Sequence, residues 1–339
     1  MRAGIVNVTG YAGADAARLL ARHPEVQLVA VTGRSAAGEP LAAAFPHLAD
    51  LDLTISAELP DVDVVLSALP HHASAEVIPE LLERGQRVVD ISADYRLHDL
   101  SEYERWYGEH PSPGLLADTP YGLPELHATA IAAARLVANP GCYPTAAILA
   151  LAPAIDLVEP SLVVDAKSGV SGAGRSLSLT THYCEINENC HAYGLNGHRH
   201  QPEIEQELGA LRAARRPGAE PLDVTFVPHL IPMTRGILAT CYARLAEDWS
   251  QEDLLARYRE FYRGAPFVRV VDAPPQTKQT LGTNLCLVYP RVDARTRRLV
   301  ALGCIDNLVK GAAGQAIQNM NLMLGLPEDA GLNGPALYP

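Results

Sequence analysis

No run of Lys or Arg occurs in the 339-residue chain, whose formal net charge is −12. A surface that binds nucleic acid needs clustered positive charge against the phosphates, so that class of partner is excluded. The longest basic cluster, Arg212 to Arg216 in RAARRPG, reads as the solvated end of a helix. Nor is there any uninterrupted run of 18 apolar residues, which leaves no candidate for a membrane-crossing helix. The opening MRAGIVNV enters a strand without a charged n-region, a long apolar core or a small-residue cleavage site, and the expected location is the cytoplasm. The six cysteines (Cys142, Cys184, Cys190, Cys241, Cys286 and Cys304) are too scattered for a disulfide framework, and a reducing compartment would keep them as thiols. Internal repeats and low-complexity segments are absent too. What is present, 48% hydrophobic residues over a length that suggests two domains, suffices for a core in each.

The first half alternates short β-branched runs with helical periods: AGIVNV, GADAARLLARHP, VQLVAVT, VDVVLSALP, SAEVIPELLERG, QRVVDIS and RLVANP. Such alternation with near-continuous apolar strands predicts an α/β domain around a doubly wound parallel sheet of the Rossmann type. From about Leu162 the strand-like runs follow one another (SLVVDAKSG, LDVTFVPHLIPM, GILATCYARL, TNLCLVYPRV, RLVALGCID) with few helices between them, one of which is SQEDLLARYREFYRG. Strands in series predict an α+β domain with a mainly antiparallel sheet. The expected domains are residues 1–141 and 142–305, with a C-terminal helix and tail, 306–339, returning to the first. Two long loops are expected, at 36–59 and through HDLSEYERWYGEHPSPGLLADTPYGLPE.

Between the first strand and helix, VNVTGYAGAD places Gly10 and Gly13 at the mouth of the helix, where glycines let a pyrophosphate approach backbone N–H groups. The glycine usual three residues earlier is Asn7 here, and two glycines alone also fit a tight turn. The second strand ends in VTGRSAAG, with Arg34 and Ser35 where a carboxylate would bind a free ribose 2′-hydroxyl. A guanidinium and a hydroxyl suit a 2′-phosphate, which points to NADP.

In LVANPGCYPTAAILALAP a strand breaks at Pro140 and Gly141 and a helix starts at Cys142. A thiol at a helix N-terminus meets unpaired N–H groups and the positive end of the macrodipole, which favour thiolate. Such a position is also the carboxyl edge of an open sheet, where ligands bind. The alternative is a small buried hydrophobe, and that is the reading for the other five cysteines. A nucleophilic thiol needs a proton partner, and GLNGHRHQPEIEQEL offers His198 and His200 just before a helix carrying Glu203, Glu205 and Glu207. HYCEINENCH presents His182, Cys184, Cys190 and His191, at spacings that match no zinc pattern. DAKSGVSGAGR, with Ser168, Gly169, Ser171, Gly172, Gly174 and Arg175, fails the frame of a serine-hydrolase elbow at Ala173; it reads as a phosphate cradle or a plain glycine-rich loop.

Taken in order, TGYAG, VTGRSAAG, ISADYRL, TPYGLPEL, ANPGCYPTA, SGVSGAGR, HRHQPEIEQEL, VPHLIPMTRGI, TKQTLGTNLC and IDNLVKGAAGQAIQNMNLMLGLPE resemble the N-acetyl-gamma-glutamyl-phosphate reductase family, relatives of aspartate-semialdehyde dehydrogenase, from residue 1 to about 330. The resemblance implies an NADPH-dependent reductase of a small acyl phosphate, working through a cysteine thioester in arginine biosynthesis. It assigns Cys142 as nucleophile and His200 as acid/base. It maps the cofactor loop to Thr9, Gly10, Tyr11, Ala12 and Gly13, the 2′-phosphate contacts to Arg34 and Ser35, and the nicotinamide side to Asn307. Ser92, Arg96, Ser171, Gly172, Arg175 and His198 fall in segments lining the substrate site. Asn7 and Asp15 depart from the family's usual Gly and Glu, and no metal is implied. The same parts would also serve a reductase of carrier-bound aminoadipyl phosphate in lysine biosynthesis, or, without turnover, a dinucleotide-binding redox sensor. The enzyme is expected to be a homo-oligomer.

Overall fold

The β-branched runs of the first half form strands and the periodic runs between them form helices. The computed structural model describes residues 1–338, in two compact units: 1–140 with 312–333, and 141–311 with the residues from 334 onward. The segment 306–339 is thereby shared between them.

The first unit runs β1 (Arg2–Val6), α1 (Tyr11–Leu20), β2 (Gln27–Thr32), α2 (Leu41–Ala44), β3 (Ile55–Ser56), β4 (Val64–Ser67), α3 (Ala73–Glu83), β5 (Arg87–Asp90), α4 (Leu100–Tyr107), α5 (Pro124–Ala133) and β6 (Leu136–Ala138). Its sheet has the order β3-β2-β1-β4-β5-β6 with every pairing parallel, a doubly wound sheet whose order reverses between β1 and β4. Both segments expected as long loops carry structure. Residues 36–59 hold α2 and β3, and the second holds α4, where the Asp99 carboxylate caps the helix by accepting the Glu102 N–H at 3.0 Å. Asp99 and Glu102 stand at the spacing of a helix-start signal, which the surrounding turn residues masked.

The second unit runs α6 (Cys142–Leu151), β7 (Val158–Gly169), α7 (Tyr183–Ile186), β8 (His191–Ala192), α8 (Gln201–Arg215), β9 (Asp223–Ile231), β10 (Ile237–Leu245), α9 (Gln251–Phe261), β11 (Val268–Val270), β12 (Cys286–Asp293) and β13 (Arg298–Ile305). The sheet order is β11-β12-β13-β10-β7-β9-β8. Antiparallel pairings dominate, as the serial strands predict, but β7 pairs with β9 and β11 with β12 in parallel, the first pair joined through α8 and the second through residues 271–285, which hold only a short 3-10 turn at Thr277–Gln279. Alternate residues such as Leu162, Val164 and Ala166 are buried under the helices. Their neighbours Val163, Asp165 and Lys167, with Leu238, Thr240 and Tyr242 beside them, stay partly exposed on the opposite face.

The chain then returns to the first unit as α10 (Gly314–Met323), packed on α1, α5 and β5. Its small residues allow close packing, and two of its buried amides place their NH2 groups: Gln315 and Asn319 both donate to the Gly122 carbonyl, at 2.9 and 2.8 Å.

At the carboxyl end of β5, Asp90 is fully buried and accepts the hydroxyls of Ser74 at 2.6 Å and Ser92 at 2.7 Å. Burial outweighs these bonds and pushes its carboxyl up to about 6. An unfolded aspartate titrates near 3.9, so the native state holds the extra proton between about pH 4 and pH 6. The stabilisation is complete below that window and is lost as pH rises through about 6. Two units correspond to roughly 3 kcal/mol. Asp90→Asn should therefore gain thermal stability relative to wild type as pH is raised from about 4.5 to 7. A melting-temperature difference that stays constant across that range would refute the buried proton.

Candidate active site

The loop between β1 and α1 explains the missing glycine. Asn7 has φ of 65°, the left-handed region that glycine usually supplies and asparagine tolerates. Its side chain secures the turn by donating to the Ala68 carbonyl at 2.8 Å. Gly13 is required for a different reason: a Cβ there would stand 2.6 Å from the Asn7 carbonyl oxygen and 2.8 Å from the Val8 Cα. Gly10 is the N-cap, and nothing lies within 4 Å of where its Cβ would be. No acidic side chain occupies the first turn of α1, and Thr9, Tyr11 and Ala12 are at least partly exposed around it. A positive helix end with open space above it fits a pyrophosphate. Arg34 and Ser35 lie exposed on the short turn after β2. Asp15, the other departure from the family, is buried and paired with Arg18 at 2.7 Å.

Two of the expected substrate residues also lie in the first unit. Ser92 spends its hydroxyl on Asp90, and Arg96 donates to the carbonyls of Asn139 at 2.8 Å and Ile91 at 2.9 Å.

The remaining expected site residues belong to the second unit. Cys142 is the first residue of α6 and is partly exposed, following N-cap Gly141 in extended conformation. None of the six cysteines is disulfide-bonded. Cys241 and Cys304 lie inside the sheet, where burial pushes both thiols up, that of Cys304 to about 12. Cys184 and Cys190 are exposed, and among the described residues no group of three or more His, Cys, Asp or Glu could hold a metal ion.

His200 is the N-cap of α8, and its Nε2 lies 4.0 Å from Oε1 of Glu203 in the first turn. The other oxygen of Glu203 accepts the Gly141 N–H at 3.0 Å. One buried carboxylate thus touches the turn that carries Cys142 and faces His200. This residue was noted in the sequence only as part of an acidic helix; an acid in a first helical turn that is otherwise buried was the available signal.

His198 sits in an aromatic box of Tyr143, Tyr193 and Phe226, with ring centroids 5.2–5.9 Å away. Its Nδ1 accepts the His200 backbone N–H at 3.1 Å, and burial pushes the imidazole down to about 4. It is neutral near pH 7 with the proton on Nε2. Tyr193 donates its hydroxyl to Tyr143 at 3.1 Å, and Tyr143 donates to the His229 carbonyl at 3.1 Å, tying the histidine loop to β9.

Asn307 donates to the Ser171 hydroxyl at 2.9 Å and accepts the Gly236 N–H at 2.7 Å. Gly172 packs beside it, since a Cβ there would meet Ser168 Oγ at 3.1 Å and Asn307 Nδ2 at 3.7 Å. Arg175, beyond Gly174, is exposed.

Known proteins match this arrangement over the whole chain. Residues 2–134 match the family model described as semialdehyde dehydrogenase, NAD binding domain, and residues 142–307 the one described as semialdehyde dehydrogenase, dimerisation domain. Among curated relatives, an N-acetyl-gamma-glutamyl-phosphate reductase of Dehalococcoides mccartyi is 56% identical, covering 100% of this chain and 99% of its own. Those of Pelotomaculum thermopropionicum and Geobacter metallireducens are 50% and 48% identical, covering 100% of this chain and 99% and 100% of their own. Among solved structures, aspartate semialdehyde dehydrogenase II of Vibrio cholerae, complexed with ASA, aligns with a TM-score of 0.72 at 19% identity, over 96% of this chain and 98% of that one. The Candida albicans enzyme with NADP aligns with a TM-score of 0.72 at 18% identity, over 95% and 98%. The first unit is accordingly a nicotinamide-dinucleotide-binding domain. With full-length identity near one half and both halves matched in order, the chain belongs to the N-acetyl-gamma-glutamyl-phosphate reductase family of semialdehyde dehydrogenases.

Proposed function

We propose that the chain reduces N-acetyl-gamma-glutamyl phosphate to N-acetylglutamate semialdehyde and inorganic phosphate, in the cytoplasm and with NADPH, through a thioester on Cys142. The observation that carries the reading is the placing of a partly exposed thiol on the first residue of α6, with Glu203 joining that turn to His200. The helix end favours negative charge on sulfur. Sγ attacks the acyl carbon, the bond to the phosphate oxygen breaks, and phosphate leaves with the electron pair. The bound dinucleotide supplies the hydride for the second half of the reaction. His200 takes the thiol proton and returns it to the tetrahedral oxygen or the departing sulfur, with the Glu203 carboxylate beside it stabilising the imidazolium. His198 is unsuited to that shuttle, because its Nδ1 is committed and burial keeps it neutral. Ser171, Gly172 and Arg175 in the second unit, and Ser92 and Arg96 in the first, belong to the segments that the family resemblance assigns to the acyl-phosphate site.

Cys142→Ser should fold, still bind NADPH and lose nearly all turnover. His200→Ala should lower kcat by about 10²- to 10⁴-fold, the usual worth of general acid–base catalysis, and His198→Ala by much less. Acyl phosphate supplied without NADPH should load one acyl group on Cys142, visible by peptide mass spectrometry. Substantial activity in Cys142→Ser, or acylation of another cysteine, would overturn the thioester. Preference for the free acetylated substrate over a carrier-bound aminoadipyl phosphate is read from the same assay run with both.

NADP is the proposed cofactor form because two exposed residues, Arg34 and Ser35, stand where a carboxylate would select NAD. Arg34→Ala should weaken NADP binding by tenfold or more and leave NAD nearly unchanged. Equal losses in a titration of both would refute the assignment.

The working form is a homodimer built on the uncovered face of the second sheet. Val163, on β7 beside the middle strand β10, is 38% exposed, and the matched family model of this region is described as a dimerisation domain. Light scattering should give twice the chain mass, and Val163→Asp should shift it toward the monomer. A monomeric wild-type chain at micromolar concentration would sink this proposal.

A further inference from the structure

In the motif DNLVKGAAG after β13, only Asn307 has been given a part so far, on the nicotinamide side. There the backbone closes an i to i+5 turn: Gly311 N–H donates to the Asp306 carbonyl at 3.0 Å, and Val309–Ala313 form a single π-turn. Such a turn is wider than an α-turn, is rare, and recurs at functional sites. A buried carboxylate holds this one. Oδ1 of Asp306 accepts the N–H groups of Leu308 at 2.8 Å and Val309 at 3.2 Å. Its Oδ2 accepts the Gly282 N–H at 2.8 Å and lies 3.5 Å from Arg235.

What the turn presents is Gly311. A Cβ on it would stand 2.7 Å from the Cβ of Cys142 and 3.2 Å from its Cα, so the peptide backbone of the turn rests directly on the cysteine. The constraint is space alone, because Gly311 is not among the residues with positive φ. Nor can the cysteine step aside cheaply: α6 is buried along its length, and Gly303 of β13 packs its Cα against the carbonyl of Ala146 one turn further on.

We infer that Gly311 is a positioning residue for the Cys142 thiol, with Asp306 holding the π-turn that seats it. This rests on the reading of Cys142 as nucleophile. An added methyl at 311 pushes on the Cβ that carries Sγ, and a displacement of about 1 Å between reacting groups costs roughly 10²-fold in rate. A glycine needed only for packing would instead lower stability and leave the thiol of the folded protein unchanged.

The test uses the full chain carrying Gly311→Ala or Asp306→Asn. Turnover is followed as phosphate-dependent reduction of NADP with the semialdehyde, and iodoacetamide labelling of Cys142 across pH 6–9 is followed by peptide mass spectrometry, with exposed Cys184 and Cys190 as internal references. For Gly311→Ala, kcat should fall about 10- to 100-fold with KM within about threefold. Labelling of Cys142 should slow at least fivefold against the references. Asp306→Asn should move both readouts the same way by a smaller factor, and it decides the matter if Gly311→Ala does not fold. A folded Gly311→Ala with wild-type kcat and a wild-type labelling profile overturns the inference, as does a lower melting temperature with unchanged labelling. If Cys142→Ser keeps its turnover, the nucleophile reading falls, while the labelling profile still decides the seating.

Discussion

Glu203 is a carboxylate almost wholly removed from water, and a charge there is tolerable only with donors around it. One of those donors is the N–H of Gly141, the N-cap residue of α6, and the imidazole of His200 is also beside it. A charge-assisted bond to backbone is among the stronger polar contacts a protein makes, and this one fixes where α6 begins. The far end of α8 completes the clamp. Arg212 donates to the carbonyls of Ile155 and Val158 at 2.8 Å each, and Arg215 to that of Ala152 at 2.9 Å, all in the segment that follows α6. The two helices are therefore pinned to one another near both ends of α6. A change that shifts α8 shifts the cysteine with it.

Period and alternation carried most of the fold, because both sheets obey rules local to each strand. The parallel sheet was legible from apolar runs separated by helical periods, and the second from strands in series. What local pattern does not carry is which strands meet: the parallel pairings of β7 with β9 and β11 with β12 depend on crossovers through α8 and through the chain leading to β12. Asn7 shows a subtler limit. Read as a letter it breaks the glycine fingerprint, whereas read as a backbone conformation it preserves it, since φ of 65° is open to asparagine.

The polar interior was the least legible part. Asp90, Ser74 and Ser92 look in sequence like ordinary loop and helix residues, yet they form a buried cluster at the end of β5. The amides of α10 are similar: Gln315, Gln318, Asn319 and Asn321 are fully buried on a helix whose small residues had suggested close packing only. A buried polar group is defined by partners far away in the chain, so no window of sequence displays it. The histidines of HRH make the same point at the site. Two residues apart, one is neutralised by an aromatic box and spends Nδ1 on a backbone N–H, while the other faces a carboxylate.

This asymmetry matches what each proposed group must do. α6 reads CYPTAAILAL, apolar on nearly every side, and a helix hydrophobic all round is one that is buried all round. A nucleophile on its first residue sits on a rigid element with essentially one position available, which suits an atom that must attack a single carbon. The acid/base has two tasks, removing a proton from sulfur and later serving the tetrahedral oxygen or the departing sulfur. It stands on the residue before a helix, facing the Glu203 side chain, with its ring against those of Tyr143 and His198 and its own N–H donated to His198. Rigidity is thus concentrated under the thiol, while the imidazole is set between the Glu203 carboxylate and the rings of Tyr143 and His198.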